Sequence, residues 1–262
     1  MLVLIPARFN STRFPGKPLA PILGKSMIQR VYENCLEANL NSLPSFQGDQ
    51  YSAPYNLIFE TCVVTDSSEI ESHLLEVNAR VCRIDDEVNT GSERVFLAFK
   101  RHFSNKGYDL VVNMQGDEPL LGGLELRKLC LFHLENGGDI ATLIRKRTDL
   151  DQEFSNKNVV KVIYSQPTGL CLYFSRAQIP YFVDDKLSSE WYQHIGIYSY
   201  KIDALEKFSQ ASPGFYEKRE SLEQLRALEI GMTIKGLKTD AKLIGVDIPS
   251  DIPKVERVLT NG

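Results

Sequence analysis

Short apolar runs alternate with amphipathic stretches over the first 144 residues of the chain. The apolar runs predict buried strands at residues 2–5, 57–64, 81–84, 110–113 and 139–144. Between them, apolar residues recur at helical spacing, which predicts helices at residues 26–38, 67–77, 90–103 and 124–136. Buried strands that alternate with helices predict an α/β fold with a mostly parallel sheet.

The pattern changes after residue 156. Consecutive strands are predicted at residues 159–163, 170–174 and 195–200, without helices between them. This organisation predicts a smaller α+β subdomain, inserted at about residues 156–218 before the sheet is complete. We expect one amphipathic helix at residues 220–229, with Leu222, Leu225 and Leu228 facing inward, and a last helix capped by Ser250.

Composition limits the class of protein. A chain of 262 residues with 43% hydrophobic and 24% charged residues is typical of a soluble globular protein. Its net charge of −4 argues against a general nucleic-acid partner. No run approaches the roughly twenty apolar residues that span a bilayer, and no secretion signal precedes the first strand, so we expect no membrane partner. Five scattered cysteines without a C-x-x-C pair predict reduced thiols in a cytoplasmic protein.

A basic loop follows the first predicted strand. Arg8, Arg13 and Lys17 lie in it, together with the turn residues Pro15 and Gly16. The loop leaves the carboxyl end of a buried strand, which is where open parallel sheets bind ligands. Cations and inward-turned backbone N–H groups suit phosphate oxygens. The alternative is that these cations are ordinary solvated charges, and the loop lacks the glycine spacing of the common nucleotide-binding loops.

Two further segments are predicted to reach the same edge of the sheet. Thr90, Gly91 and Ser92 open a helix, and a helix amino terminus favours anions or polar base edges, although a plain cap is the alternative. Asp117 follows the strand at residues 110–113, and a carboxylate beside bound phosphates suits Mg²⁺. By itself, however, an Asp-Glu pair in a turn is better explained as a solvated cap.

These segments resemble those of a known family. IPARFNSTRFPGKPL at residues 5–19, TGSER at 90–94 and QGDEP at 115–119 are similar to the signature segments of the 3-deoxy-manno-octulosonate cytidylyltransferases, the CMP-Kdo synthetases of bacterial lipopolysaccharide synthesis. LYFSR at 172–176, HIGIY at 194–198, ESLEQLR at 220–226 and GVDIP at 245–249 are similar as well. The resemblance covers nearly the whole chain. It is interrupted by a polar insertion at residues 39–55 and by three basic residues at 145–147.

The resemblance implies a three-layer αβα fold of the nucleotide-diphospho-sugar transferase type, spanning residues 1–262. The implied reaction transfers CMP from CTP to the anomeric hydroxyl of 3-deoxy-D-manno-octulosonate (Kdo) and releases pyrophosphate. The implied catalytic residues are Arg8, Arg13, Lys17 and Asp117. The implied nucleotide-binding residues are Arg8, Ser11, Arg13, Lys17, Thr90, Gly91, Ser92 and Gln115. The implied sugar-binding residues are Gln115, Arg176, His194, Tyr198, Glu223 and Gln224. Asp117 and Asp247 are the implied Mg²⁺ ligands, and no general base is implied.

The subdomain carries more aromatic residues than a small antiparallel sheet needs for its own core. The aromatic residues are Tyr173, Phe174, Tyr181, Phe182, Trp191 and Tyr192, and Ile179 adds further apolar surface. Such an excess commonly marks an interface. The family forms homodimers through this subdomain, so we expect a two-fold homodimer with Trp191 or its neighbours near the contact.

Two alternatives to Kdo transfer remain open. One is a cytidylyltransferase for a related keto-sugar acid, such as amino-Kdo or a sialic-acid-like acceptor. The other is a non-catalytic nucleotide-binding protein. The presence of both aspartates and all three loop cations argues against the second, because a binding protein has no need for a metal at the α-phosphate.

Overall fold

The structure is a computed structural model that describes residues 1–10, 13–40, 57–88, 90–148, 150–183 and 189–261. The strands are β1 (Leu2–Ala7), β2 (Pro21–Ile22), β3 (Lys25–Ser26), β4 (Glu60–Thr65), β5 (Val81–Arg83), β6 (Leu110–Asn113), β7 (Ile140–Arg147), β8 (Lys161–Ser165), β9 (Leu170–Ser175), β10 (Trp191–Lys201) and β11 (Ile234–Lys238). The helices are α1 (Met27–Leu36), α2 (Ser68–Glu76), α3 (Gly91–Ala98), α4 (Gly123–Asn136), α5 (Gln152–Ser155), α6 (Ile202–Gln210), α7 (Phe215–Glu220), α8 (Gln224–Glu229) and α9 (Ile252–Asn261). This is the predicted α/β class.

The chain divides into two compact units. The first unit contains Met1–Leu131 and Ala241–Gly262, and the second contains Phe132–Asp240. The predicted subdomain at residues 156–218 lies within the second unit, whose bounds are wider. Most of the predicted insertion at residues 39–55 lies outside the described residues. No helix in the described part of the chain has the length and apolar character needed to cross a membrane.

The sheet of the first unit is parallel. Its strands lie in the order β5, β4, β1, β6, and each neighbouring pair is parallel. Leu2, Leu4 and Ile5 of β1 are fully buried, as are Val111 and Val112 of β6. Burial on both faces explains why these strands are continuous apolar runs in the sequence rather than alternating ones. Because the strands are parallel, the loops that follow β1 and β6 emerge at the same edge.

Serine side chains cap the starts of α1 and α2 in this unit. The Ser26 hydroxyl accepts a hydrogen bond from the Gln29 N–H at 3.2 Å. Ser67 caps α2 in the same way, as predicted. The predicted cap of the last helix is wrong: Ser250 lies within a short 3-10 turn, Pro249–Asp251, that precedes α9. The Asp251 carboxylate satisfies the backbone there, since it accepts from the N–H groups of residues 247 and 248.

The second unit has a mixed sheet with strands in the order β10, β7, β11, β9, β8. Strands β7 and β11 are parallel, and the other pairs are antiparallel. Strand β8 also pairs with β10, so the edge strands of the unit come together. The change from a parallel to a mainly antiparallel arrangement follows the change of pattern seen in the sequence after residue 156.

The single helix predicted at residues 220–229 is wrong. Helix α7 ends at Glu220, Ser221 adopts a left-handed conformation with φ 52°, and α8 begins at Gln224. The Glu220 carboxylate accepts from the Ser175 hydroxyl at 2.6 Å and from the Arg176 N–H at 3.0 Å. These contacts with the end of β9 hold the end of α7, and helical periodicity alone cannot reveal them.

Trp191 lies in the core of the second unit. Its side chain is fully buried, and its ring centroid lies 5.2 Å from that of Phe154. Arg147, from the basic run at residues 145–147, lies over the Trp191 ring with its Cζ atom 5.5 Å from the ring centroid, and it pairs with Asp151 at 2.8 Å. Trp191 itself therefore offers no surface to another copy, and the predicted dimer contact at Trp191 or its neighbours stays a prediction. Of its aromatic neighbours in the sequence, Tyr181 is 85% exposed.

Candidate active site

A cavity of about 360 Å³ lies in the first unit, at the edge where β1 and β6 end. Several of the predicted site residues line it together: Arg8, Arg13, Lys17, Gly91, Gln115, Asp117 and Asp247. They come from four separate segments of the chain. The parallel sheet explains their convergence, because it delivers the basic loop and the QGDEP loop to one edge.

Two glycines let the segments approach the end of β1. A Cβ atom at Gly116 would lie 3.1 Å from the Pro6 carbonyl oxygen, and one at Gly91 would lie 3.2 Å from Pro6 Cγ. A third glycine shapes the basic loop, since Gly16 has φ 69° and donates its N–H to the Phe9 carbonyl at 3.0 Å. The cavity wall is therefore mostly backbone at these points, which suits close contact with a bound anion.

The cations of the basic loop are paired with the two aspartates. Lys17 Nζ donates to Asp117 Oδ2 at 2.6 Å and to the Val246 carbonyl at 2.9 Å. Arg13 Nη2 lies 3.3 Å from Asp247 Oδ1, and both of these side chains are well exposed. The Val246 N–H donates to the Asp117 carbonyl at 2.9 Å. The sequence could not show that Asp117 and Asp247 belong to one site, and the structure places both on the cavity.

Glu118 is a buried acid beside these aspartates that sequence reasoning did not single out. Burial first, and then the charges of Asp117 and Asp247, raise the pKa of its carboxyl to about 8. Within the described part of the chain, no hydrogen-bond donor reaches Glu118 Oε2. Its position directly after Asp117 in QGDEP was the available signal, but nothing in the sequence shows that its side chain is buried.

The acidic groups fit a divalent cation that also takes ligands from its substrate. Among the described residues, no three acidic, histidine or cysteine side chains are arranged to hold a metal on their own. Mg²⁺ in nucleotide-binding enzymes typically takes one or two carboxylates, and phosphate oxygens and water complete its shell. Asp117 and Asp247 supply that number of hard oxygen ligands, and buried Glu118 Oε2, which no donor reaches among the described residues, lies next to them in the chain.

The TGSER segment contributes mainly backbone to the cavity. Gly91 lines it. The Thr90 hydroxyl caps α3 by accepting from the Glu93 N–H at 3.2 Å. Ser92 is 4% exposed, and its hydroxyl accepts from Asn113 Nδ2 at 3.1 Å. Thr90 and Ser92 therefore have structural contacts in place, and Ser11 lies outside the described residues.

The predicted sugar-binding residues other than Gln115 belong to the second unit. His194 Nε2 lies 3.0 Å from the Thr142 hydroxyl, and the His194 and Tyr198 ring centroids are 5.4 Å apart. Burial lowers the pKa of His194 to about 3 and, with a smaller effect of nearby Tyr200 and Glu223, raises that of Tyr198 well above its usual value. Both side chains are thus uncharged at neutral pH. They can exchange hydrogen bonds with hydroxyl groups but cannot pair with a carboxylate through a charge.

Gln224 and Glu223 open helix α8 of this unit. Gln224 is 5% exposed, and its buried Nε2 has no hydrogen-bond acceptor among the described residues. A buried amide of this kind is unfavourable unless a ligand or water completes its hydrogen bonds. Glu223 lies close enough to Tyr198 to raise its pKa. These two residues and Tyr198 are therefore brought together by the fold.

Arg176 differs from the open anion grip expected of it. Its guanidinium donates to the carbonyl oxygens of Glu220 at 2.7 Å, Lys157 at 3.0 Å and Ser221 at 3.2 Å. In this arrangement it braces the end of α7 against the start of the unit's antiparallel strands. A sugar carboxylate would have to displace carbonyl oxygens to gain a bidentate contact, so the sugar-binding role of Arg176 stays a prediction.

The sequence model of a family described as Cytidylyltransferase matches residues 2–234. The chain belongs to this family. It is 37% identical over 261 residues to a 3-deoxy-manno-octulosonate cytidylyltransferase of Cytophaga hutchinsonii, with 97% of this chain and 96% of the relative covered. It is 36% identical over 267 residues to the protein of the same name from Parabacteroides distasonis, with 98% and 97% covered. The resemblance stated from the motifs is thus confirmed.

A solved structure shares the cytidylyltransferase fold of this chain. It is that of a CMP:2-keto-3-deoxy-manno-octonic acid synthetase complexed with CTP, and it superposes with a TM-score of 0.83 at 29% identity. The match covers 99% of this chain and 98% of the solved chain. The predicted nucleotidyltransferase fold is confirmed by this similarity.

Proposed function

We propose that this cytidylyltransferase transfers CMP from CTP to Kdo and releases pyrophosphate. The observation that carries the proposal is the cavity in which Arg8, Arg13 and Lys17 face Asp117 and Asp247 at the carboxyl edge of a parallel sheet. The names of the relatives, which match over nearly their whole length, support CTP as the donor and Kdo as the acceptor.

The reaction is a displacement at phosphorus. The anomeric hydroxyl oxygen of Kdo forms a bond to the α-phosphorus of CTP, and the bond from that phosphorus to the oxygen bridging to the β-phosphate breaks. Pyrophosphate leaves with the bonding electron pair, and the hydroxyl proton passes to solvent. Such a reaction depends on in-line positioning and on neutralisation of the phosphate charges, so it needs little covalent chemistry from the protein.

The three cations of the basic loop would hold the triphosphate. Arg8 and Arg13 can contact two phosphate oxygens at once, and Lys17 provides a compact positive charge. Charge that develops on the departing pyrophosphate favours these contacts in the transition state over the ground state. In the structure Lys17 and Arg13 contact Asp117 and Asp247, so binding of the triphosphate requires them to exchange carboxylate for phosphate.

Asp117 and Asp247 would hold Mg²⁺. The donor set is hard oxygen, and the charges of Asp117 and Asp247 are close enough to buried Glu118 to contribute, after burial itself, to its raised pKa. When bound, Mg²⁺ lowers the pKa of the attacking hydroxyl and screens the α-phosphate. The aspartates fix the cation relative to the basic loop, since Lys17 and Val246 already join their two segments.

The acceptor would be bound by polar groups of the second unit. His194 and Tyr198 are neutral and can exchange hydrogen bonds with sugar hydroxyls, and Gln224 has an amide nitrogen available. Arg176 would contact the sugar carboxylate after releasing one or more of its carbonyl partners. These roles come from the family resemblance, and the buried polar character of the residues supports them.

The proposal includes a cytoplasmic homodimer that supplies lipopolysaccharide synthesis. The five cysteines of the chain form no disulfide bonds, which is usual for cytoplasmic proteins. Exposed Tyr181 and Val183 in the second unit provide apolar surface for a contact between copies. Sedimentation at micromolar concentration tests the assembly, since a single species near 29.7 kDa would rule out the dimer.

The reaction is tested by measuring pyrophosphate release from CTP and Mg²⁺ with a panel of 2-keto-3-deoxy sugar acids. We expect release with Kdo, and much slower release when UTP or ATP replaces CTP. Faster release with amino-Kdo or a sialic-acid-like acceptor would reassign the substrate. Binding of CTP without release for any acceptor would identify a non-catalytic nucleotide-binding protein.

A further inference from the structure

Asn113 is a buried amide at the end of an apolar strand. It is the last residue of β6, follows Val111 and Val112, and is completely inaccessible to solvent. An amide in such surroundings is unfavourable unless both its donor and its acceptor are used. Local sequence does not single out Asn113, because asparagine at the end of a strand is also an ordinary turn residue.

Both ends of the Asn113 amide are hydrogen-bonded, and they reach two different walls of the cavity. Asn113 Nδ2 donates to the Ser92 hydroxyl oxygen at 3.1 Å. Asn113 Oδ1 accepts from Gln115 Nε2 at 3.3 Å. Ser92 belongs to the start of α3, beside Gly91, whereas Gln115 belongs to the loop after β6. The amide therefore joins the two segments beneath the cavity.

The Gln115 side chain is oriented by this contact. Its nitrogen is held by Asn113, and within the described part of the chain no donor reaches its oxygen, Oε1. Gln115 lines the cavity and is only partly buried. Asn113 Oδ1 takes one of the two Nε2 hydrogens, which turns Oε1 away from Asn113 and makes Oε1 the acceptor that Gln115 can offer to a ligand.

We propose that Asn113 is a positioning residue that fixes the Gln115 amide so that its oxygen accepts a hydrogen bond from a substrate N–H or O–H group. This inference rests on the proposed function, because it takes the cavity to hold CTP and Kdo. Both substrates carry hydroxyl groups, and CTP also carries an amino group, so the shared chemistry is a hydrogen-bond donor. Asn113 does not touch the substrate and acts through Gln115.

The test is a double-mutant cycle of Asn113→Leu and Gln115→Met, two substitutions that keep approximate shape and remove the hydrogen bonds. CTP affinity is measured by calorimetry without acceptor, and kcat and KM for Kdo are measured at saturating CTP. Each single substitution should impair the same one of these properties, either the affinity for CTP or the KM for Kdo, roughly fivefold to tenfold. This is the effect of one lost hydrogen bond. The double variant should show the same loss as Gln115→Met alone, because Asn113 then has no Gln115 amide to position.

The constant that changes identifies which substrate supplies the hydrogen-bond donor to Gln115. A change in CTP affinity places it on the nucleotide, and a change confined to the KM for Kdo places it on the sugar acid; either result supports the positioning role. Unchanged constants, or effects that multiply in the double variant, would overturn it. An inactive wild-type enzyme would instead refute the proposed function, so the two failures are distinguishable.

Asn34→Leu is a matched control for loss of a structural amide near the same loop. Asn34 Nδ2 donates to the carbonyl oxygens of Pro119 and Leu121 at 2.9 and 3.4 Å, and it does not contact Gln115. This variant should lower the melting temperature and leave both substrate constants unchanged. A shift of either constant equal to that of Asn113→Leu would show that any loosening of the loop suffices, which contradicts a specific role for Asn113.

Discussion

Lys17 Nζ lies 2.6 Å from Asp117 Oδ2. A side chain predicted to bind phosphate is therefore paired with a carboxylate predicted to bind Mg²⁺. The pair is only partly exposed, with 15% of the Lys17 side chain and 34% of the Asp117 side chain accessible. In the absence of a nucleotide, the ammonium group therefore competes with any cation for Asp117. The proposed nucleotide and metal sites would be coupled through this contact, because phosphate oxygens would draw Lys17 away from the aspartate.

Lys17→Met should have opposite effects on metal binding and on the reaction. Without nucleotide, Mn²⁺ should bind roughly fivefold more tightly, because Asp117 loses its competing partner. The rate of CMP transfer should fall at least about a hundredfold, because the phosphates lose a cation in the transition state. Calorimetry measures the first effect and pyrophosphate release the second.

Lys25→Met is the matched control, since Lys25 also pairs with a carboxylate, that of Glu33, on the protein surface. Lys25→Met should change neither the affinity for Mn²⁺ nor the rate of CMP transfer. Unchanged Mn²⁺ affinity in Lys17→Met would show that the Lys17 and Asp117 contact does not limit access of the metal.

Asp117→Asn and Asp247→Asn should each reduce the rate of CMP transfer by at least about a hundredfold, as expected when a main electrostatic stabiliser is removed. Both residues line the cavity rather than the core, so the circular dichroism spectrum and melting temperature should stay close to those of the wild type. Asp203→Asn, at an exposed position on α6, is the control. Full wild-type activity in the presence of a chelator would be incompatible with the metal role.

Gly123→Ala should destabilise the protein although alanine is the better helix former. Gly123 begins α4, and a Cβ atom there would lie 2.3 Å from the Ala38 nitrogen, so the 3-10 turn Glu37–Asn39 that follows α1 would have to move. We expect the free energy of unfolding to fall by about 1–3 kcal/mol, the usual effect of overpacking. Gly122→Ala is the control, because its nearest neighbouring atom would be 3.9 Å away. Equal stabilities of the two variants in urea would contradict this packing argument.

Two buried histidines should make the protein less stable as the pH falls. Burial lowers the pKa of His133 to about 4 and that of His194 to about 3, whereas both titrate near 6.5 in the unfolded chain. Below pH 6.5 the unfolded state therefore binds protons that the folded state excludes, and the stability decreases toward the folded pKa values.

His194→Gln should remove about 2 kcal/mol of the stability loss between pH 7 and pH 5, the contribution of one such histidine. Urea unfolding at a series of pH values measures the slope, which is independent of any uniform change in stability. His102→Gln, at an exposed position, is the control. A slope identical to that of the wild type in His194→Gln would show that His194 is not excluded from protonation in the fold.

Local patterns were sufficient to predict the parallel strands and the Ser67 cap, because burial and capping are recorded in neighbouring residues. They also placed Arg8, Arg13 and Lys17 on one loop beside Gly91 and Asp117. They failed where a distant contact decides the structure: Glu220 ends α7 by bonding to β9, and Trp191 is buried against Phe154. The roles of Glu118 and Asn113 were missed for the same reason, since burial of a polar side chain depends on segments far away in the sequence.

The bridge that Lys17 makes between Asp117 and Val246 has a consequence for biosynthesis. Val246 leaves the ribosome 229 residues after Lys17, so the basic loop is made long before the segment that completes its surroundings. A nascent chain that has already formed the parallel strands of its first unit still lacks Asp247 and the carbonyl that holds Lys17. Interrupted translation therefore yields chains without a complete cation and carboxylate cluster.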